Sequence, residues 1–405
     1  MKGRAIILLL FLLPVRILAA PLYVYLTWQG DPGTTMTVNY HTPSPAPTSL
    51  VLYDTLSHRG HPDDYPLWAR GGQHQLEGLR DGRAIHWVEL KDLRPGATYY
   101  FIAGDRENGF SEEFKFRTAP GDQRPICFVA GGDMGVKPPV QDLLEQAALQ
   151  EPLFALIGGD LAYENGKLQE YRKMDAWLEN WAQRMKTPQG YMVPMVVAIG
   201  NHEVDGGYAK TPEQAPFYFG YFAQEGRQSY FVRRFGANIV LLVLDSGHIA
   251  QHGEAQAQWL EEQLQQHSQV PFCFAAYHVP LYPGYRDYGG EHSKQGRRHW
   301  LPLFDRYRLT ASFEHHDHLL KRTKLLRAGR VDPEGTLYLG DGCMGRKPRR
   351  VKHWYGISRS RRWYIEKLEG RAHFWRVEVD QEGVEYRAID EKGRVIDQYT
   401  QPRKP

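Results

Sequence analysis

Leu153-Phe-Ala-Leu-Ile-Gly-Gly-Asp-Leu-Ala-Tyr163 decides the reading of this chain. An apolar run that stops at two glycines and a carboxylate predicts a core strand delivering a polar group to its end. The pattern recurs along the sequence. Ile126–Ala130 runs into Gly-Gly-Asp133-Met-Gly, and Met195–Ile199 into Gly-Asn201-His202-Glu. Phe272–Ala276 runs into Tyr-His278-Val-Pro, and Ala311–Phe313 into Glu-His-His316-Asp-His318. In an open α/β sheet, chemistry collects at the carboxyl ends of strands, so donors distant in sequence are expected to meet. Asp133, Asp160, Tyr163, Asn201, His278, His316 and His318 make seven oxygen and nitrogen donors. That is too many for one tetrahedral ion and enough for two ions sharing a carboxylate.

The ordered series resembles the metallophosphoesterase (calcineurin-like phosphoesterase) superfamily and, within it, the purple acid phosphatases. The family pattern is Asp-x-Gly, Gly-Asp-x-x-Tyr, Gly-Asn-His-Asp/Glu, a strand-borne His, and Gly-His-x-His. All blocks match in order except that His315 stands where the last has Gly. The resemblance implies an α/β catalytic domain of two packed sheets flanked by helices. It implies a first ion on Asp133, Asp160, Tyr163 and His318, and a second on Asp160, Asn201, His278 and His316. Asp160 is the bridging ligand. A phenolate is a hard anionic donor, and a free phenol titrates near ~10, so a strong Lewis acid must hold Tyr163 ionised. Fe(III) is therefore expected at the first position, with Zn, Fe or Mn at the second.

The function implied is hydrolysis of small phosphate esters, most simply of phosphomonoesters, by a metal-activated hydroxide attacking phosphorus in line. His202 is a candidate to stabilise the phosphoryl oxygens or protonate the leaving alkoxide. Glu203 either orients His202 or is exposed. His292, in a loop following His278, is a second candidate proton donor. A phosphodiesterase or nucleotide hydrolase on the same ions is the alternative, and a non-catalytic exported binding protein the remote one. His315 either points away from the centre or crowds the substrate. Asp317 is expected to face away from the ions. Arg346 to Arg362 holds eight basic residues and no acid; it reads as a solvated surface loop ahead of an anion-steering one.

At 405 residues the chain is long enough for two domains. Residues 1–19 read as a signal peptide: Lys2 and Arg4, an apolar core from Ala5 to Val15, then small residues. Arg16 and Pro14 leave too little for a bilayer span, so no stable membrane anchor is expected, and the protein is expected to be exported. The formal charge is +3, but the leader holds three of the 50 basic residues and none of the 47 acids. The mature chain is therefore neutral, and no general case for nucleic-acid binding follows. The three cysteines, Cys127, Cys273 and Cys343, show no disulfide framework.

Residues 20–119 read as all-β. Tyr23–Thr27, Thr37–Tyr40, Ser49–Tyr53, Ile85–Leu90 and Tyr99–Ala103 are the expected strands. Leu93-Arg-Pro-Gly-Ala-Thr-Tyr-Tyr and Phe114-Lys-Phe-Arg-Thr-Ala-Pro resemble the closing strands of a fibronectin type III-like sandwich. Such a β-domain precedes many purple acid phosphatase catalytic domains. From residue 122 to 405, strands alternate with helical patterns at Pro139–Gln150, Tyr171–Met185, Ala255–Gln266 and Lys294–Tyr307.

Overall fold

The computed structural model describes residues 21–340, 342–351 and 362–404. The expected signal peptide and the middle of the basic segment, with His353, Trp354 and Tyr355, lie outside the described residues. Among these residues no helix is long and apolar enough to cross a membrane.

Leu22–Thr27, Met36–Thr42, Ala84–Leu90 and Gly72–His74 form one antiparallel sheet of the N-terminal part. Leu67–Arg70, Leu50–Asp54, Thr98–Asp105, Gly109–Phe110 and Phe114–Arg117 form the other. Val38, Tyr40, Val51, Val88, Phe101 and Phe116 are fully buried, as alternating inward residues of two facing sheets should be. Tyr99 accepts a hydrogen bond from the Arg94 N–H at 2.9 Å, which closes the Leu-Arg-Pro-Gly turn in the manner of a tyrosine corner. Leu67–Arg70 and Gly72–His74 escaped the sequence reading because they are short and mostly exposed, with no buried face to pattern.

Two further sheets build the rest. In one, Ile126–Gly131, Phe154–Ile157 and Met195–Val197 run parallel, and Phe374–Val379, Gly383–Ile389 and Val395–Pro402 continue it antiparallel. In the other, Ile239–Val243, Phe272–Ala276, Ala311–Phe313 and Leu337–Gly340 are parallel. Phe231–Phe235, Leu320–Thr323 and Ile365–Glu369 join it antiparallel. The sheets meet through phenylalanines: Phe154 stacks on Phe235 with centroids 3.8 Å apart, and Phe128 lies edge-on to Phe274 and Phe313. Val140–Ala148 and Tyr171–Arg184 bury apolar faces in a second core, and Glu254–Gln266 and Leu301–Arg306 in a third.

Two expectations change. The helix expected over Lys294–Tyr307 is two, Glu291–His299 and Leu301–Arg306. Pro302 has no N–H to continue the first and suits the opening turn of the second. Ile239–Val243 is a fully buried strand that the sequence reading passed over, because no ligand follows to mark its end.

The N-terminal β-sheets are seated on the two α/β sheets. Trp28 is buried against Phe235 and Phe154, and its carbonyl accepts from Arg233 Nη2 at 2.8 Å. Tyr25 and Thr27 donate to the carbonyls of Tyr221 and Ala223, both at 2.6 Å. Arg83 forks onto Asp175 of the helix Tyr171–Arg184, with Nη2 to Oδ2 at 2.8 Å. Truncating a buried Trp costs about 3–5 kcal/mol. Trp28→Ala is expected to lower the denaturant midpoint of the α/β part as well as that of the β-domain. An unmoved transition of the α/β part would show that the two parts do not stabilise each other.

Candidate metal centre

Every donor follows a parallel strand within a few residues. Asp133 lies just past Gly131, Asp160 past Ile157, Asn201 past Val197, His278 past Ala276, and His316 and His318 past Phe313. The turns that carry them are sharp. Asp133, Asp160, Tyr163, His316 and His318 all have positive φ, between 52° and 74°. That region is unfavourable for residues with a Cβ, so the surroundings must enforce it. The two aspartate turns are laced together: the N–H of Asp133 bonds the Gly159 carbonyl at 3.0 Å, and that of Met134 the Asp160 carbonyl at 2.9 Å. Glu203, fully buried, accepts from the N–H groups of Gly200, Asp160 and Leu161 at 2.7–2.8 Å. It neither orients His202 nor lies exposed; it clamps the Gly-Asn-His turn onto the Gly-Asp turn. Burial and the Asp160 charge push its pKa up to about 7 against these donors.

The side chains converge in two overlapping groups. Asp160, His278 and His316 bring donor atoms within 4.8 Å of one another, and so do Asp133, Asp160 and His318. Asp160 belongs to both. Tyr163 Oη lies 3.2 Å from Asp133 Oδ1 and 3.1 Å from His318 Nε2. Asn201 Oδ1 lies 3.1 Å from His278 Nε2, which is 3.0 Å from His316 Nδ1 and 3.3 Å from Asp160 Oδ2.

His278 Nδ1 donates to the Gly158 carbonyl at 2.9 Å, so in a neutral ring Nε2 carries a lone pair. Three more lone-pair bearers then face it from Asn201, Asp160 and His316. Such a concentration of buried bases is satisfied by cations, so the donor chemistry fits two metal ions of the oxygen- and nitrogen-loving kind.

The electrostatics agree. Burial alone would raise the Asp160 pKa, but the His278 ring beside it holds the carboxyl well below its ordinary range. Burial would lower His278, but Asp160 pushes it up to about 9. Burial, then Asp133 and Asp160, drive the Tyr163 phenol well above its ordinary value, with Arg346 opposing.

His202 is the half-open member. Its N–H donates to Asp160 Oδ1 at 2.9 Å, its Nε2 stands 3.8 Å from Asp160 Oδ2, and its ring leans on Tyr163 at 4.2 Å. Nδ1 bonds Asn165 Oδ1. Sequence reasoning missed Asn165; the Asn-Gly pair just past Tyr163 was the available signal, since such pairs take left-handed turns, and Asn165 has φ 58°.

His292 is placed differently from the sequence expectation. It opens the helix Glu291–His299, stacks on Tyr208 and touches Gly247 and His252. Among the described residues it contacts none of the seven donors. His315 neither faces the substrate side nor crowds it. Its buried ring fills the space beside Gly132 and Gly158, and neither ring nitrogen has a partner among the described residues.

Asp317 turns away from the donors, as expected, and holds the 285–286 loop through two backbone N–H groups and Arg286 Nη1. The described part of the basic segment is not a free loop. The N–H groups of Arg346 and Arg349 bond the carbonyls of Asp133 and His318 at 3.0 and 2.9 Å. Arg346 lies over the Tyr163 ring at 4.0 Å. The described part is an exposed loop, as expected, and its backbone is tied to two donor turns, which composition could not show.

Residues 21–118 match the model of the purple acid phosphatase N-terminal domain, and residues 128–320 that of the calcineurin-like phosphoesterases. Purple acid phosphatase 15 of Arabidopsis thaliana is 26% identical over 329 residues, 73% of this chain and 60% of that protein. Acid phosphatase type 7 of Mus musculus is 26% identical over 423 residues, 90% of this chain and 89% of that one. The chain spans about three fifths of the length of the first curated relatives it matches. The purple acid phosphatase PPD1 from yellow lupin (Lupinus luteus) superposes with a TM-score of 0.78 at 19% identity, covering 95% of this chain and 75% of that one. At that identity the likeness concerns the fold.

A methyl group built on Gly158 would meet the His315 ring at 1.8 Å. Overpacking of this kind costs about 1–3 kcal/mol. Gly158→Ala should therefore lower the unfolding midpoint and loosen metal retention through His278, and adding His315→Gly should restore both. Additive losses in the double variant would show that the two positions do not share this space.

Proposed function

We propose that this chain, which matches the calcineurin-like phosphoesterases over residues 128–320 and the purple acid phosphatase N-terminal domain over residues 21–118, hydrolyses phosphoric esters at a dinuclear metal centre. The observation that carries the reading is Asp160, shared by the two donor groups. The first ion takes Asp133, Asp160, Tyr163 and His318, and the second takes Asp160, Asn201, His278 and His316. A phenol raised by burial and two carboxylates calls for a strongly Lewis-acidic first ion, hence Fe(III), with Zn, Fe or Mn at the second. Bound there, two cations neutralise charge on the phosphoryl group and lower the pKa of the attacking water.

The residues around the donors supply the rest. His202 directs Nε2 toward the centre because Nδ1 is engaged by Asn165. A neutral ring with Nδ1–H donating to Asn165 offers only a lone pair at Nε2, so donation to the leaving alkoxide needs the protonated ring. Burial lowers the His202 pKa, with Asp160 opposing, so that form belongs to acidic solution. Arg346, exposed and without an ion-pair partner among the described residues, keeps positive potential at the rim, where an anionic ester approaches. The substrate class is a small phosphate monoester, and the leader sequence supports action outside the cytoplasm.

The second reading is a phosphodiesterase or nucleotide hydrolase on the same ions. One observation favours it: the strap bearing Arg346 and Arg349 is bonded directly to the Asp133 and His318 turns, where it could take a second phosphate.

With iron and zinc supplied, the protein is expected to hydrolyse p-nitrophenyl phosphate, and Asp160→Asn to lose at least about a hundredfold in kcat/KM together with bound metal. Running bis(p-nitrophenyl) phosphate alongside separates the two readings. Wild-type inactivity on both with both ions bound would overturn them. Tyrosinate ligation of Fe(III) should colour the protein, and Tyr163→Phe should remove the visible band; a colourless active protein would remove iron from the proposal and leave the hydrolase.

A further inference from the structure

Beyond the donor turns, the chain after Glu203 doubles back at Gly206 and Gly207, with φ of 87° and 79°. This return brings residue 207 against Asn201: a Cβ built on Gly207 would lie 3.6 Å from the Asn201 Cβ. The next residue is Tyr208. Its strand of loop is zippered to another, with the N–H groups of Ala209 and Lys210 bonded to the carbonyls of Gly247 and His248, both at 2.9 Å.

The Tyr208 ring is clamped. His292 lies nearly parallel to it with centroids 4.0 Å apart and 19° between planes, and His248 at 4.8 Å and 24°. His248 and His292 make no ring contact with each other among the described residues, so they occupy opposite faces of the tyrosine.

Both clamps are themselves fixed. His248 Nδ1 donates to the Gly207 carbonyl at 2.8 Å, its N–H donates to Asp245 Oδ1 at 2.7 Å, and its ring meets His278 edge-on at 5.7 Å. His292 sits on a helix and packs where any side chain at Gly247 would be. A ring held this firmly on both faces has one free degree of chemistry, its hydroxyl. Among the described residues nothing hydrogen-bonds to that hydroxyl, and the side chain is half-buried. Besides burial, the charges it feels are Asp160, Arg286, Asp133 and Asp317. Gly207 packs on Asn201, and His248, which stacks on the tyrosine, meets His278, so Tyr208 stands on the Asn201–His278 side of the centre; burial and then Asp160 raise its phenol above the ordinary value, so it keeps its proton.

We propose that Tyr208 is a further substrate-binding residue, whose hydroxyl donates a hydrogen bond to a non-bridging phosphoryl oxygen on the Asn201–His278–His316 side of the centre. His248 and His292 are positioning residues that hold the ring. The proposal rests on the phosphoesterase reading above and gives His292 a purpose other than proton donation.

The test uses the full chain loaded with iron and zinc. Tyr208→Phe keeps the stacked ring and removes only the hydroxyl. A lost hydrogen bond to a charged group predicts that inorganic phosphate, measured by calorimetry and as a competitive inhibitor, binds about 10-fold more weakly. KM for p-nitrophenyl phosphate should rise similarly, with metal content and thermal midpoint held. His292→Ala should raise KM with a smaller change in kcat, and His292→Phe, which restores a flat ring, should recover most of the loss. Phosphate affinity and KM within twofold of wild type in Tyr208→Phe would overturn the proposal, as would a loss explained by metal release. A wild-type protein that neither turns over nor binds phosphate would instead overturn the phosphoesterase reading, and this proposal with it.

Discussion

The crowding of buried Lewis bases around Asp160 is the constraint on which the rest of the structure depends. Two carboxylates, three imidazoles, an amide oxygen and a phenol face one another with contacts near hydrogen-bonding distance and too few protons to share. Isolated in a protein interior, such groups cost several kcal/mol each. Cations among them, or protons in their place, relieve that cost, and folded geometry must hold the groups in position for either. The buried Glu203 carboxylate, the laced aspartate turns and the Gly158 carbonyl on His278 all serve that end.

Those supports explain why so much unusual backbone gathers here. A strand can aim a side chain up or down but cannot turn it inward over its own end. Left-handed residues at Asp133, Asp160, Tyr163, His316 and His318 make that turn, each at a cost of roughly 1–3 kcal/mol. The stability that offsets the strain comes from elsewhere, chiefly the phenylalanine layer between the sheets and the docking of the β-domain through Trp28. His315 belongs to the same economy of space: its ring occupies the room that Gly132 and Gly158 leave open.

The rim differs in kind from the floor. Its groups come from segments that carry no strand signal: the 203–210 return, the 285–292 loop and the strap from Arg346 to Arg350. Each is tied to a donor turn by backbone hydrogen bonds or by Asp317 and His248. Floor residues face lone pairs and ask for cations. Rim residues offer N–H and O–H donors and positive charge, and so suit an anion lying on those cations.

Sequence alone determined the order of core strands, the donors at their ends and the all-β character of residues 22–117, because each is local: apolar runs, glycine turns and residue types lie within a few positions of one another. The helix break at Pro302 was equally local but was hidden by an apolar period that continues through it. Only the tertiary structure decided what meets across the chain. Glu203 looks like any acid beside a histidine until its carboxylate finds three backbone N–H groups. His292 has the chemistry of a proton donor, but the fold puts it on a helix with its ring stacked on Tyr208. The basic strap is an exposed run, as its composition suggests, but only the fold ties its backbone to two donor turns. Residue type and spacing fix which chemistry a chain carries. Distances between segments far apart in sequence fix which groups face one another, and those are set by packing that no local window contains.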